Sequence, residues 1–128
     1  MGIALDAIGI VVKDLGESLK FYRALGLDIP ELDLSEPHVE VTFPNGLRFM
    51  WDTVELIKRF DPNWPEPVGQ RVAMAFLCGS PTEVDAKYAS LTAAGYKGRM
   101  EPFDAFWGQR YAIVLDPDGN GVDLFAPL

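Results

Sequence analysis

One pattern of residues occurs twice in this chain, and a duplicated pattern limits the fold more tightly than any single motif. In each half a strand-like stretch runs into a helix start, the helix stops at a glycine, and two further extended stretches follow around a Pro-Asn-Gly or Pro-Asp-Gly turn. In the first half Ala4 to Val12 reads as the strand, and Asp14-Leu15-Gly16-Glu17 has the spacing of a capping box. Leu15, Leu19 and Tyr22 follow at helical spacing, and Gly26 ends the helix because a residue without Cβ takes positive φ at little cost. The second half repeats this with Val72 to Cys78, then Ser80-Pro81-Thr82-Glu83, the stripe Val84, Tyr88 and Leu91, and the stop Gly95. Asp14 and Ser80 stand 66 residues apart, so Ala7 corresponds to Ala73, while the two turns, Pro44-Asn45-Gly46 and Pro117-Asp118-Gly119, are offset by 73.

Between the copies, Glu55 to Gly69 reads as a linker, since three prolines in Asp61 to Pro67 remove donors and fix φ. Met100 to Gly108 is expected to be a second irregular stretch, rich in aromatic residues. The 128 residues are expected to form a single domain, with module one at 1–54, the linker at 55–69 and module two at 70–128.

Strand alternation separates two faces. Ile8, Ile10, Val12, Val39, Val41, Phe43, Val72, Met74, Phe76, Cys78, Tyr111, Ile113 and Leu115 are bulky and are expected under the helices. The opposite parity gives Ala7, Gly9, Ala73 and Ala75, with His38, Glu40, Thr42, Arg48, Met50, Arg110, Asp123 and Phe125. Small residues below polar and aromatic ones describe a cavity wall, and a face left to solvent is the alternative. Phe49 and Trp51 are assigned to the core.

The net charge of -8, from 19 acidic and 11 basic residues, argues against nucleic acid or an anionic membrane as partner, because no basic face is available to neutralise phosphates. The longest apolar run, Ala7 to Val12, is too short to span a bilayer, and Met1-Gly2-Ile3-Ala4 lacks the basic start of a signal peptide, so a cytoplasmic protein is expected. The single cysteine, Cys78, lies in an apolar stretch and reads as a buried small hydrophobe. No phosphate-loop or dinucleotide fingerprint is present.

Val12-Lys13-Asp14-Leu15, then Phe21-Tyr22 and Leu25-Gly26, and the terminal Asp116-Pro117-Asp118-Gly119-Asn120 run together resemble the vicinal oxygen chelate superfamily. That superfamily includes glyoxalase I, extradiol dioxygenases, fosfomycin-modifying enzymes and bleomycin resistance proteins. The resemblance implies an α+β fold of two tandem βαβββ modules, with mixed sheets curved around a cavity and helices on the outer face. It also implies a homodimer. In the family's enzymes a divalent metal is held by residues of the first and last strands of each module, and those positions fall here on Ala7, Met50, Ala73 and Asp123. Of these only Asp123 can ligate, whereas such sites need about three protein ligands, so no metal and no cofactor is expected. A register one residue earlier would bring Asp6 or Arg71 to the first-strand positions, and His38, the lone histidine, opens a different strand.

The function expected is therefore that of the metal-free bleomycin-resistance-like branch, a protein that sequesters a small planar, hydrophobic or cationic aromatic compound such as an antibiotic. The residues expected to bind it are Glu40, Met50, Trp64, Phe103, Phe106, Trp107, Arg110, Asp123 and Phe125, through stacking, cation–π contact and charge. Two enzymatic readings remain open beside it: a metal-dependent lyase, isomerase or dioxygenase, and a metal-free acid/base catalyst using Glu40 and Asp123. A protein that works through contacts with another protein is a further alternative.

Overall fold

The computed structural model of the chain describes residues 2–31 and 35–128. Its elements run β1 (Ala7–Val12), α1 (Leu15–Leu25), β2 (His38–Thr42), β3 (Arg48–Thr53), α2 (Val54–Phe60), β4 (Met74–Leu77), α3 (Pro81–Ala93), β5 (Gly98–Ala105), β6 (Gln109–Leu115) and β7 (Gly121–Pro127). The fold is α+β, and the described residues form one three-stranded and one four-stranded mixed sheet and three helices, consistent with tandem βαβββ modules. Contacts divide the chain into two compact units, Met1–Lys20 with Asp28–Glu66 and Phe21–Leu27 with Pro67–Leu128, so the boundary falls within α1. No helix among the described residues is long and apolar enough to cross a membrane.

Both long helices begin and end as their sequences specify. Asp14 Oδ1 accepts from the Glu17 backbone at 3.0 Å, and Ser80 Oγ accepts from Glu83 at 3.2 Å. Gly26 and Gly95 take φ of 124° and 100°, which lets the residue after each glycine donate back to the last helical turn.

In the first unit β3 is central, parallel to β1 and antiparallel to β2. Ile8, Ile10, Val12, Val39, Val41, Phe49 and Trp51 share one face by register. Val12, Val39, Phe49 and Trp51 are buried, and the Phe49 and Trp51 rings stand 4.8 Å apart, so these two aromatic residues are core as expected. The linker stretch opens with a short helix, α2, which Thr53 caps by accepting from the Leu56 backbone.

In the second unit the strand order is β4-β7-β6-β5, with α3 packed against β5, β6 and β7. Met74, Phe76, Ala112, Val114, Val122, Leu124 and Ala126 share one face by register, and all but the first two of these are buried, as are Val84 and Leu91 of α3. The β6 parity is thus the reverse of the sequence expectation. Ala112 and Val114 lie on this buried face, while Tyr111, Ile113 and Leu115 stand on the other with Asp123. Both parities of β6 carry apolar residues, so alternation by itself does not decide between them. Val72 is likewise exposed, because β4 begins at Met74.

The stretch expected to be irregular, Met100 to Gly108, is mostly strand. Residues through Ala105 form β5, which pairs with β6 through register shifts between Gly98 and Met100 and between Met100 and Phe103. Pro102 cannot donate to a ladder, and a bulged edge strand is where a sheet tolerates it.

The turn between β6 and β7 is fixed by Asp116, which is 4% exposed. Its Oδ1 accepts from the backbones of Asp118 and Asn120, both at 2.9 Å, and its Oδ2 accepts from Asn120 Nδ2 at 3.0 Å and the Tyr22 phenol at 2.7 Å. Burial and the charge of Asp116 hold the Tyr22 phenol well above its usual pKa, so it stays a donor.

Tyr22→Phe removes a hydrogen bond to a buried charged acceptor and is expected to cost about 1.5–3 kcal/mol in urea unfolding. Asp116→Ala strands the phenol and two backbone N–H groups and is expected to cost more. Wild-type stability in both variants would show that this turn does not hold the second unit together.

Candidate functional site

Each sheet has a face turned away from its apolar packing, and the expected site residues fall on these two faces, in loops, or, in one case, on a helix-covered face. On the second sheet β4 places Ala75 and Leu77, β7 places Asp123 and Phe125, β6 places Tyr111 and Ile113, and β5 places Phe103 on one face. Ala75 is the register partner of Asp123. The Tyr111 phenol donates a short hydrogen bond to Asp123 Oδ2, and Asp123 is 8% exposed. Burial, with the hydrogen bond and charge of Asp123, pushes the Tyr111 pKa up to about 12. The Tyr111 phenol therefore stays a donor to Asp123 across the neutral range.

The β5–β6 turn and Phe103 set further rings against Tyr111. Trp107 lies edge-on to Phe103 at 6.2 Å, to Phe106 at 5.0 Å and to Tyr111 at 5.3 Å, and Phe103 meets Tyr111 at 6.3 Å. Gly108 turns the chain with φ of 91°, and the Trp107 indole donates to Gln109 Oε1 at 2.8 Å. Trp107 is half exposed and Phe106 fully so, which leaves aromatic surface available to a guest. Phe103, Phe106, Trp107, Phe125 and Asp123 thus belong to one strand face and its turn. Tyr111, which strand alternation alone assigns to the helix-covered face, joins them. Tyr111 and Asp123 are 12 residues apart on different strands, so nothing local pairs them until register is known.

Arg110 lies elsewhere. It is on the face that α3 covers, where its guanidinium bonds Asp85 at 2.9 Å and Asp104 at 3.1 Å. It is anchored to α3 rather than aimed at Asp123.

On the first sheet Glu40 and Met50 are register partners on the face opposite the core, with Gly9 beside Met50. A charged chain runs across this face. Asp52 Oδ1 lies 2.5 Å from His38 Nδ1, and His38 Nε2 lies 3.4 Å from Glu40 Oε1. Glu40 Oε2 then accepts from Arg48 at 2.5 Å, and Asp6 Oδ2 accepts from Arg48 at 2.6 Å. Asp52, first of all by its hydrogen bond, raises the His38 pKa, with Glu40 adding to this and partial burial opposing it. Arg48, first of all by its hydrogen bonds, lowers Glu40 and Asp6. Asp52 shares the parity of Arg48 and Met50, which is the signal that could have placed it beside His38. Trp64 is half buried in the same unit, its backbone donating to Asp61 at 3.0 Å.

The four positions where the resemblance places a metal do not offer a donor set. Ala7 and Ala73 bear methyl groups, Met50 a thioether near Arg48, and Asp123 already accepts from Tyr111. The alternative register brings Asp6, which is engaged by Arg48. Among the described residues no three His, Cys, Asp or Glu side chains are grouped to hold an ion. These residues do not fit a divalent cation.

A proton NMR titration of His38 is expected to give a midpoint above 6.5, and Asp52→Asn should lower it. Because the folded value is raised, the stabilisation from this pair is complete below pH 6.5 and is lost as pH rises through the folded midpoint. An unshifted midpoint in the wild-type protein would dissolve the pair.

The family model of the glyoxalase/bleomycin resistance protein/dioxygenase superfamily matches residues 4–124. No curated protein matches the chain. Among solved structures, a glyoxalase/bleomycin resistance protein/dioxygenase from Nocardioides is 26% identical, with 100% of this chain and 85% of that one covered and a TM-score of 0.76. A family enzyme from Burkholderia phytofirmans PsJN is 17% identical over 98% of this chain and 100% of its own, with a TM-score of 0.83. A glyoxalase-related enzyme from Fulvimarina pelagi is 21% identical over 96% and 87%, with a TM-score of 0.81. The last two speak for the fold alone, and with the match over residues 4–124 the chain belongs to the glyoxalase/bleomycin resistance protein/dioxygenase superfamily.

Proposed function

We propose that the protein is a small-molecule binding member of this superfamily that works without a metal and sequesters a planar, cationic aromatic compound, as an antibiotic-binding protein does. One observation carries the reading: the Phe103, Trp107 and Tyr111 rings stand on the same strand face as Asp123. Rings provide stacking and cation–π surface, and a carboxylate at 8% exposure provides charge where solvent screens it weakly. The donor set at the metal positions supports a metal-free reading, since only Asp123 there can ligate. An acid/base pair of Glu40 and Asp123 gains no support from their surroundings, because Arg48 and His38 engage the first and Tyr111 the second. A homodimer in the cytoplasm, as the resemblance and the sequence imply, belongs to the same proposal. Sedimentation at twice the 14.2 kDa chain mass would support the dimer.

The test is a fluorescence titration with a phenanthridinium dye and an uncharged planar analogue. Trp107→Ala is expected to weaken the dye by more than about 1 kcal/mol, roughly fivefold or more in Kd. Asp123→Asn is expected to weaken the cationic dye and spare the uncharged one. Stripping the protein with a chelator should leave both affinities unchanged. Absence of saturable binding, or full affinity in both variants, would overturn the proposal.

A further inference from the structure

A concave site lies in the second unit, apart from the aromatic rings of the β5–β6 turn. It is a cleft of about 600 Å³ bounded by the end of α1, the edge strand β4 and one side of α3. This is within the size range of small-molecule pockets. Its walls are largely aliphatic, from Leu25 and Leu27 after α1, Phe76 and Leu77 of β4, and Leu124 of β7. The polar groups at its edge are unequally engaged. The Glu83 carboxylate turns back to accept from the Gly79 backbone at 2.7 Å, completing the start of α3. Lys87, one turn further on, donates to the Ala24 carbonyl at 3.1 Å, where the last carbonyls of α1 need donors.

An ammonium has three donors, and this one is seen to use a single bond, to a neutral acceptor. No carboxylate among the described residues pairs with Lys87. The cleft therefore combines an aliphatic lining with one cation whose donors are not satisfied by an anion. The complementary guest is an amphiphile with an apolar chain and a negative head.

We propose that this cleft binds a medium-chain aliphatic carboxylate, its chain against Leu25, Leu27, Phe76 and Leu124 and its carboxylate on Lys87 Nζ. The site is distinct from the aromatic cluster, because none of Phe103, Phe106, Trp107, Tyr111 and Asp123 lines it. Cys78 lines the cleft and is the only cysteine of the chain, so its thiol reports on occupancy. Burial raises that thiol's pKa, and alkylation is best followed in mildly alkaline buffer.

The experiment measures carbamidomethylation of Cys78 by intact mass, with octanoate, octanol or octylamine present below their aggregation limits. Octanoate is expected to slow the reaction at least fivefold and saturably, with octanol and octylamine clearly weaker. Lys87→Met should raise the half-protecting octanoate concentration at least fivefold, and Lys87→Arg should retain protection. If Lys87→Met fails to fold by circular dichroism, the three-ligand comparison on the wild-type protein decides. No protection by octanoate, equal protection by all three compounds, or an unaltered half-protecting concentration in folded Lys87→Met would overturn the proposal. So would protection that grows with protein concentration alone, which would mean that a second copy of the chain covers the cleft. Cys78 reports on this cleft and Trp107 fluorescence on the aromatic face, so either proposal can fail without the other.

Discussion

The Asp116 carboxylate accepts four hydrogen bonds at a place solvent scarcely reaches, and much of the second unit's geometry follows from that. A carboxylate buried without partners would cost several kcal/mol, so the site forms only when every donor is in place. Two donors are backbone groups of the β6–β7 turn, a third is the Asn120 amide, and the fourth is the Tyr22 phenol brought by α1. The turn sets the register of β7 on β6, and β7 in turn sets β4. One carboxylate thereby ties the end of a helix to the pairing that aligns Asp123 with Ala75 and Ile113.

The two open faces use the same scaffold for different chemistry. At equivalent positions of the two modules stand Met50 and Asp123, each opposite a small residue, Gly9 or Ala75. The first is surrounded by an ionic chain in which carboxylates and cations alternate, so the charges there largely satisfy each other. The second accepts from the Tyr111 phenol, itself packed against Trp107 and Phe103, and none of these groups can neutralise the carboxylate. A ligand-binding reading belongs with the second face because its charge remains to be compensated, whereas a face that balances itself offers a guest less.

Punctuation was the legible part of the sequence. Asp14, Ser80, Gly26 and Gly95 act on backbone groups within a few residues, and such local bonds do not depend on distant packing. The errors came where local signals were balanced. Met100 to Gly108 reads as irregular in the sequence, yet a bulged edge position accommodates Pro102 in a strand, and edge status is a property of the whole sheet. Tyr111 and Ala112 are both apolar enough to face a core, so side selection on β6 passed to α3, whose packing favours the small residues. Arg110 went with them and found Asp85 on that helix.

The sequence alone determined the duplication, the helix ends, the turn residues and the poverty of metal donors at the family's positions, because each is carried by residue type at fixed local spacing. Tertiary structure decided which face of β6 meets the helix, and hence that Tyr111 rather than Arg110 stands beside Asp123. It also joined Tyr22 to Asp116 and Lys87 to Ala24, across separations of 94 and 63 residues. Contacts of that span depend on strand register and helix packing, which no local pattern encodes.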